Sequence, residues 1–162
     1  MRHLNHPAKI SRLHRGGALI EFGLVVILLV MIVGAIVEFG RVFWYYDALT
    51  KATRDSARLI SLAPKETIAS TASGDAQDLA ILAATNAGVT PRLTRANVVV
   101  DCLNAAFQIE NCVDGTAPAN VRVSIVDFQV TIGGWIPLLL SNGASTNWQP
   151  TLDPHTTMRY LP

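Results

Sequence analysis

Sixteen consecutive residues without a charged side chain, FGLVVILLVMIVGAIV, run from Phe22 to Val37. An α-helix rises about 1.5 Å per residue and a bilayer core is about 30 Å thick, so about 20 residues cross it. Extending the run back to Gly17 adds a single carboxylate, Glu21. The stretch therefore predicts a transmembrane helix over residues 17–38. The alternative is the buried core helix of a soluble protein.

The charges that flank this stretch predict its orientation. Residues 1–16 carry four basic side chains and no acidic one, whereas residues 38–51 mix both signs. Because positive flanks stay in the cytoplasm, we expect a cytoplasmic N-terminus and an exported domain over residues 39–162. A cleaved secretory signal peptide is the alternative, but the apolar run is long and no A-x-A-like site follows it.

Composition excludes several classes of function. The chain has 162 residues, a net charge of +1 and 15% charged residues, which argues against nucleic-acid binding through bulk positive charge. Its two cysteines cannot form a four-cysteine zinc site. The sequence contains no G-x-S-x-G, H-E-x-x-H, phosphate-loop or C-x-x-C motif. We therefore expect no enzyme, no catalytic or metal-binding residue and no cofactor.

Glu21 is the unusual residue of the apolar stretch. A charged side chain near the bilayer centre costs at least about 2.5–3.5 kcal/mol on insertion scales, and such residues are usually paired and functional. One interpretation is that Glu21 lies close enough to the cytoplasmic edge to reach water, or pairs with Arg15. The other is that Glu21 is paired and has a functional role.

The residues around Glu21 resemble a type IV prepilin leader. Basic residues precede GGALIEF, which begins at Gly16, and a long aliphatic helix follows. The match is to the Flp branch of these leaders, in which a prepilin peptidase cuts after a glycine and a Glu-aromatic pair follows. The resemblance implies a basic leader over residues 1–16, a cut between Gly16 and Gly17, and Glu21-Phe22 as the assembly pair. A cut after Gly17 stays open, because the two glycines are adjacent.

A longer segment is similar to the TadE-like proteins, pseudopilins of the tight-adherence system. The resemblance covers about forty residues from Ala18 and includes a second Glu-Phe pair at Glu38 and the segment Ala52–Arg58. Separately, the C-terminal Thr156–Arg159 resembles the closing strand of the family.

This resemblance implies a minor, non-catalytic subunit of a type IVb (Flp) pilus or secretion machine that acts in secretion and cell adhesion. It implies a single-pass protein of the bacterial inner membrane whose exported domain lies in the periplasm, at the cell exterior or in the pilus. Its partners would be the membrane, the prepilin peptidase, other pilin subunits and the Tad assembly machinery, with no nucleic acid. The α-amine of a neighbouring subunit would neutralise Glu21. The alternative is an uncleaved signal-anchored protein whose exported domain binds a ligand or partner.

The pattern of the remaining residues predicts an α+β fold of the pilin type. One helix over residues 18–62 would pack on a small antiparallel sheet. Its apolar face would comprise Phe39, Val42, Phe43, Tyr46, Leu49, Thr53, Ala57 and Ile60. A polar loop over 64–75 would lead to a second helix, Ala76–Ala87, with Asp75 as N-cap and Gly88 as its stop. Strands are predicted at Asn97–Cys102, Val121–Ile132 and His155–Leu161.

Three further local features carry structural expectations. The aromatic run 43–46 fits a membrane-surface belt on one side of the helix and core packing on the other. In an exported domain, Cys102 and Cys112 are compatible with a disulfide, with two buried thiols as the alternative. The apolar segment Gly133–Leu140 either packs on the domain or contacts the bilayer or a neighbouring subunit.

Overall fold

The computed structural model describes residues 15–132 and 148–161. The chain divides into two units with the boundary between Val37 and Glu38. We call the second unit, Glu38–Pro162, the head. The segment Gly133–Leu140 and residues 1–14 of the expected leader lie outside the described residues.

The first helix, α1, covers Arg15–Ser61, which confirms the predicted long helix. No proline interrupts it, and it ends three residues before Pro64, which lacks the N–H that a continuing helix needs. Leu62 and Ala63 close the last turn by donating to the carbonyl oxygens of Leu59 and Ile60. Local sequence therefore accounts for both the continuity and the end of α1.

The part of α1 before the boundary is long and apolar enough to cross a membrane. None of the residues in its most apolar window of 18 is buried within the structure. Leucine, isoleucine and valine side chains between Leu19 and Val37 are between about a third and three quarters exposed. An apolar surface of this size is expected to be covered by lipid or by another protein.

A four-stranded antiparallel sheet forms one layer of the head. Its strands are β1 (Val98–Leu103), β2 (Ile109–Glu110), β3 (Asn120–Ile125) and β6 (His155–Arg159), in the order β2-β1-β3-β6. A separate pair consists of β4 (Phe128–Gln129) and β5 (Thr151–Leu152). This arrangement confirms the predicted α+β class with an antiparallel sheet.

The core lies between this sheet and the head part of α1. Val121, Val123 and Ile125 alternate along β3 and are fully buried, as the period of a half-buried strand requires. On the facing side of α1, Leu49, Ala52, Thr53, Ala57 and Ile60 are also fully buried. A bond of 3.0 Å between the hydroxyls of Thr53 and Thr156 joins α1 to β6.

Four predicted local features are wrong. Segment 64–75 is not a polar loop: a 3₁₀ turn over Lys65–Thr67 and a π-helical turn over Ile68–Ala72 lead directly into helix α2, Ser73–Asn86. Asp75 consequently lies in the first turn of α2 and is not its N-cap. The expected strand Val121–Ile132 is divided after Ile125, because Asp127 has a φ of 53° and cannot continue a strand.

The fourth error concerns α1. Phe39, Phe43 and Tyr46 were expected on the buried face, but they are about half to nearly three quarters exposed. The buried face turns toward Glu38 and Tyr45 instead. Gly88, by contrast, ends α2 as predicted: it has a φ of 71°, donates to Thr85, and the N–H of Val89 donates to Ala84.

Candidate functional site: the two Glu-Phe pairs and the head

The first Glu-Phe pair lies on the exposed surface of α1. Both Glu21 and Phe22 are exposed, and Glu21 has no hydrogen-bond or ion-pair partner among the side chains of residues 16–132 and 148–161. The side chain of Arg15, the local alternative partner, lies outside the described residues. The described side chains therefore provide no partner for the Glu21 carboxylate.

Gly16 and Gly17 lie in the first turn of α1, and a Cβ atom added at either position would meet no atom within 4 Å outside the neighbouring helix backbone. The two glycines are therefore not required by packing. Each glycine in a helix costs about 0.8–1.0 kcal/mol relative to alanine, so this first turn opens more readily than the aliphatic helix that follows.

The second Glu-Phe pair has the opposite surroundings. Glu38 is only 3% exposed, whereas Phe39 beside it is 51% exposed. The Oε2 atom of Glu38 accepts a hydrogen bond of 2.7 Å from Nη2 of Arg41, one helical turn further along. A buried carboxylate is tolerated only when a cation and hydrogen bonds compensate for its lost hydration. Arg41 provides the cation and a hydrogen bond to one of the two carboxylate oxygens.

Arg41 also connects α1 to a distant part of the head. Its Nη2 atom donates to the backbone oxygen of Thr131 at 2.7 Å, and its guanidinium carbon lies 5.7 Å from the centre of the Tyr45 ring. The hydrogen bond with Glu38 raises the pKa of Arg41 above its already high ordinary value, so it stays charged. The Tyr45 hydroxyl in turn shares a 2.7 Å hydrogen bond with the hydroxyl of Thr90.

The other oxygen of Glu38, Oε1, is buried and has no hydrogen-bond partner in the described part of the chain. Sequence reasoning treated Glu38 only as a charge that follows the span and as a motif residue. The signal that could have located the pair is its spacing: Glu38 and Arg41 are three residues apart and share a helix face with Tyr45 and Leu49.

A cleft of about 530 Å³ opens beside this pair. It is lined by side chains that include two arginines, Arg41 and Arg92, and the amides of Asn97, Gln129 and Gln149. The cleft lies wholly within the head. Its size is in the range of small-ligand sites, and its lining combines polar groups with apolar surface such as Pro91 and Phe128.

The aromatic run is divided between two environments. Tyr45 is 6% exposed and packs in the core, whereas Phe43, Trp44 and Tyr46 are largely exposed. The indole N–H of Trp44 donates to the backbone oxygen of Ala87 at 3.1 Å, so this ring lies against the end of α2.

A disulfide closes the hairpin that β1 and β2 form. Cys102 and Cys112 form a disulfide with their Cα atoms 5.1 Å apart, and β2 pairs with β1 inside the closed loop. The side-chain oxygen of Asn104 accepts hydrogen bonds from the N–H groups of Ala106 and Gln108. Between them stands Phe107, which is 64% exposed and has a φ of 59°. Sequence analysis did not single out this residue.

In residues 15–132 and 148–161, no three His, Cys, Asp or Glu side chains are grouped so that they could hold a metal ion. Comparison with curated proteins and with solved structures finds no match to this chain. A family model described as "TadE-like protein" matches residues 16–58, the segment that contains both Glu-Phe pairs. Residues 16–58 are thus similar to the TadE-like family, as the resemblance in the sequence predicts.

Proposed function

We propose that this chain is a non-catalytic minor pilin or pseudopilin of a Tad (Flp) pilus or secretion machine. A prepilin peptidase removes residues 1–16, and the mature chain starts at Gly17 in the inner membrane. The head is exported, and α1 then packs with the corresponding helices of other subunits.

The observation that carries this proposal is the exposed carboxylate of Glu21 within an apolar helix that matches the TadE-like family model. An unpaired carboxylate in hydrocarbon is costly, so a partner cation stabilises the assembled state strongly and disfavours other registers. Cleavage before Gly17 creates such a cation, the new α-amine, four residues from the carboxylate. In our proposal the amine of one subunit pairs with Glu21 of its neighbour.

The head part of α1 has an exposed aromatic surface that is compatible with assembly. Phe39, Phe43 and Tyr46 recur at spacings of four and three, so they form one exposed stripe on the head part of the helix. Thr53 and Ala57 continue nearly the same line of the helix and are fully buried under the head. The head therefore covers only the distal part of this line and leaves its aromatic part for lipid or a neighbouring helix.

Two measurements on the full-length protein test the proposal. N-terminal sequencing of the protein from membranes of cells that contain the peptidase should give a start at Gly17. Glu21→Ala should still be cut but should fail to assemble, whereas Glu21→Asp, which keeps the charge, should retain part of the assembly. An intact Met1 start in such cells, or normal piliation by Glu21→Ala, would contradict the proposal.

The second candidate is an uncleaved signal-anchored protein with a ligand-binding head, and the cleft beside Arg41 is the observation that favours it. Arg92 and three amides offer donors to a ligand with several acceptor oxygens, although Asp127 also lines the cleft and Arg41 is paired with Glu38. Binding of such a ligand by the intact chain, lost in Arg92→Ala, together with an unprocessed N-terminus, would support this candidate over the first.

A further inference from the structure

The cleft beside Arg41 has three walls that come from distant parts of the chain. Arg92 lies in the loop between α2 and β1, Asp127 in the turn between β3 and β4, and Gln149 just before β5. All three side chains are exposed, so a molecule in solution has access to them. Because these residues are far apart in the sequence, the tertiary fold is what brings them to one place.

Hydrogen bonds between the walls fix their positions. The backbone N–H of Val126 donates to the carbonyl oxygen of Asn97 at 2.9 Å, and Nδ2 of Asn97 donates to the carbonyl oxygen of Val126 at 3.2 Å. The backbone N–H of Val130 donates to the carbonyl oxygen of Pro150 at 3.1 Å, which joins the second wall to the third. The cleft is therefore preorganised, which lowers the ordering cost of binding a ligand.

The charges that line the cleft are balanced. Arg92 and Asp127 carry opposite charges, and neither takes part in a salt bridge in the described part of the chain. The charge of Arg41 is already compensated by Glu38, 2.7 Å away. An anion would be repelled by Asp127 and a cation by Arg92. This balance favours a ligand that has no net charge.

The carboxylate of Asp127 is not required by the turn that contains it. The φ of 53° needs a residue that tolerates the left-handed region, and asparagine and glycine do so as well. Turn geometry therefore does not account for the negative charge, and both carboxylate oxygens can accept hydrogen bonds from a ligand.

The uncharged groups of the lining both donate and accept hydrogen bonds. The side-chain amides of Gln129 and Gln149 each offer an NH₂ group and an oxygen. With Arg92 as a donor and Asp127 as an acceptor, they complement hydroxyl groups, because each hydroxyl donates one hydrogen bond and also accepts. Pro91 adds apolar surface against which C–H groups can pack. A ring that carries several hydroxyl groups has both kinds of surface.

The size of the cleft fits more than one such ring. Its volume is about 530 Å³, whereas an enclosed cavity of about 150 Å³ already holds benzene, a six-membered ring. The cleft therefore has room for two six-membered rings with their hydroxyl groups.

We propose that this cleft binds an uncharged saccharide. Arg92 and the glutamine amides donate to its hydroxyl oxygens, and Asp127 accepts charge-assisted hydrogen bonds from its hydroxyl groups. A zwitterion such as an amino acid would engage Arg92 and Asp127 but would leave most of the remaining lining unused. The inference goes beyond the proposed function, because it concerns the head alone and applies to a processed and to an unprocessed chain.

Saturation-transfer NMR on the full-length chain tests the proposal. The chain is held in a polyoxyethylene detergent, because its head group contains no sugar ring that could compete. The probes are maltose, cellobiose, lactose and N,N′-diacetylchitobiose, which distinguish plain hexoses from N-acetylated amino sugars. We expect saturable binding of at least one probe. Raising the salt concentration to about 0.5 M should change its affinity less than about twofold, since screening acts on charges.

Variants of the cleft locate the binding. Asp127→Asn keeps a residue that tolerates the positive φ and should weaken binding at least about 10-fold. Gln149→Ala should weaken it at least about threefold. The matched control is Gln108→Ala, which removes an exposed amide outside the cleft and should change nothing. Thermal unfolding checks that each variant is folded, and Gln149→Ala decides alone if Asp127→Asn is not.

Substitution of Arg92 distinguishes an uncharged ligand from an anion. Arg92→Gln keeps a donor without the charge, so it should retain saccharide binding within about threefold, whereas Arg92→Ala should lose it. Equal loss in both variants would indicate an anionic ligand and would overturn the inference.

Three further outcomes would overturn it. They are the absence of binding for all four probes, binding that both cleft variants leave intact, and saturable binding of glycylglycine or citrate in place of the saccharides. None of these results bears on cleavage at Gly16 or on assembly through Glu21, so they would leave the proposed function in place. An intact Met1 start would contradict the proposed function without affecting saccharide binding.

Discussion

The carboxylate of Asp114 accepts a 2.7 Å hydrogen bond from the backbone N–H of Ala69, 45 residues earlier in the chain. A second bond of 3.2 Å comes from the N–H of Ser70. Together they satisfy donors at the start of the helical segment that leads into α2, the role that an N-cap residue usually plays locally. The disulfide hairpin is thereby attached to the helical layer of the head.

This attachment predicts a dependence of stability on pH. Hydrogen bonding, first to Ser70 and then to the N–H of Ala69, lowers the pKa of Asp114 below its ordinary value. Its contribution to stability is therefore complete above the unfolded-state pKa of about 4 and is lost as the pH falls through the lower folded-state pKa. We expect the thermal midpoint of the full-length chain in detergent to fall over this range, and Asp114→Asn to flatten that fall.

The matched control is Asp55→Asn, an exposed carboxylate of α1 that has no side-chain partner among the described residues. It should leave the pH profile unchanged. Equal flattening by both variants would contradict the capping role of Asp114.

The disulfide should contribute measurably to the stability of the head. Cys102 and Cys112 are 10 positions apart, and closing a loop of this length reduces the entropy of the unfolded chain by an amount worth about 3 kcal/mol. We expect the double variant Cys102→Ser/Cys112→Ser to lose about that much in urea unfolding. Reduction of the wild-type protein should give the same loss, and reduction of the variant should change nothing. A wild-type curve that is insensitive to reductant would show that the bond contributes no stability.

Phe107 should be dispensable for folding. Phe107→Asn keeps a residue that tolerates a positive φ and removes the bulky ring, so stability should stay level or rise by up to about 1 kcal/mol. Phe128, only 2% exposed, is the control: Phe128→Ala should lose about 3–5 kcal/mol. Urea unfolding checks both. A loss of more than about 2 kcal/mol in Phe107→Asn would show that the ring packs within its own head.

Features set by local sequence could be predicted, and those set by distant contacts could not. The length and apolar character of α1 follow from the sequence around it, as do the left-handed stop at Gly88 and the alternation of Val121, Val123 and Ile125. The true cap, Asp114, could not be found because its partners are 44 and 45 residues away. Asp75 is a residue type that commonly caps helices, but it lies inside the helix, because a π-helical turn and the first residues of α2 precede it.

The error on α1 has a similar cause. Periodicity shows which apolar residues share a helix face. It does not show whether that face is covered by the same chain, by lipid or by another protein. Phe39 and Phe43 match the period of the apolar face and yet are exposed, while Glu38 is buried because Arg41 lies within reach. The surroundings of Glu21 could not be predicted for the same reason. The periodicity of this chain gives no information on groups that belong to other molecules.

Paired glycine substitutions should identify the processed bond. If the peptidase cuts between Gly16 and Gly17, Gly16→Leu places a bulky side chain directly before the bond and should block cleavage. Gly17→Leu places its side chain after the bond and should leave cleavage largely intact, and an added Cβ there meets no atom of another part of the chain within 4 Å. The change in apparent mass on immunoblots measures both. The reverse pattern would place the cut after Gly17, and cleavage unaffected by either change would argue against processing at this pair.

The Glu38–Arg41 pair should show the asymmetry of a buried ion pair. Arg41→Met removes the cation and leaves an uncompensated buried carboxylate, which costs about 3–5 kcal/mol. Replacing both partners in Glu38→Leu/Arg41→Met removes the charge as well, so most of this loss should be recovered despite the missing bond to Thr131. The exposed pair Lys51–Asp47, also at 2.7 Å, is the control, and Lys51→Met should cost less than about 1 kcal/mol. Urea unfolding in detergent gives all three values. A double variant that is no more stable than Arg41→Met would mean that the bond to Thr131, and not the compensation of Glu38, is the main contribution of Arg41.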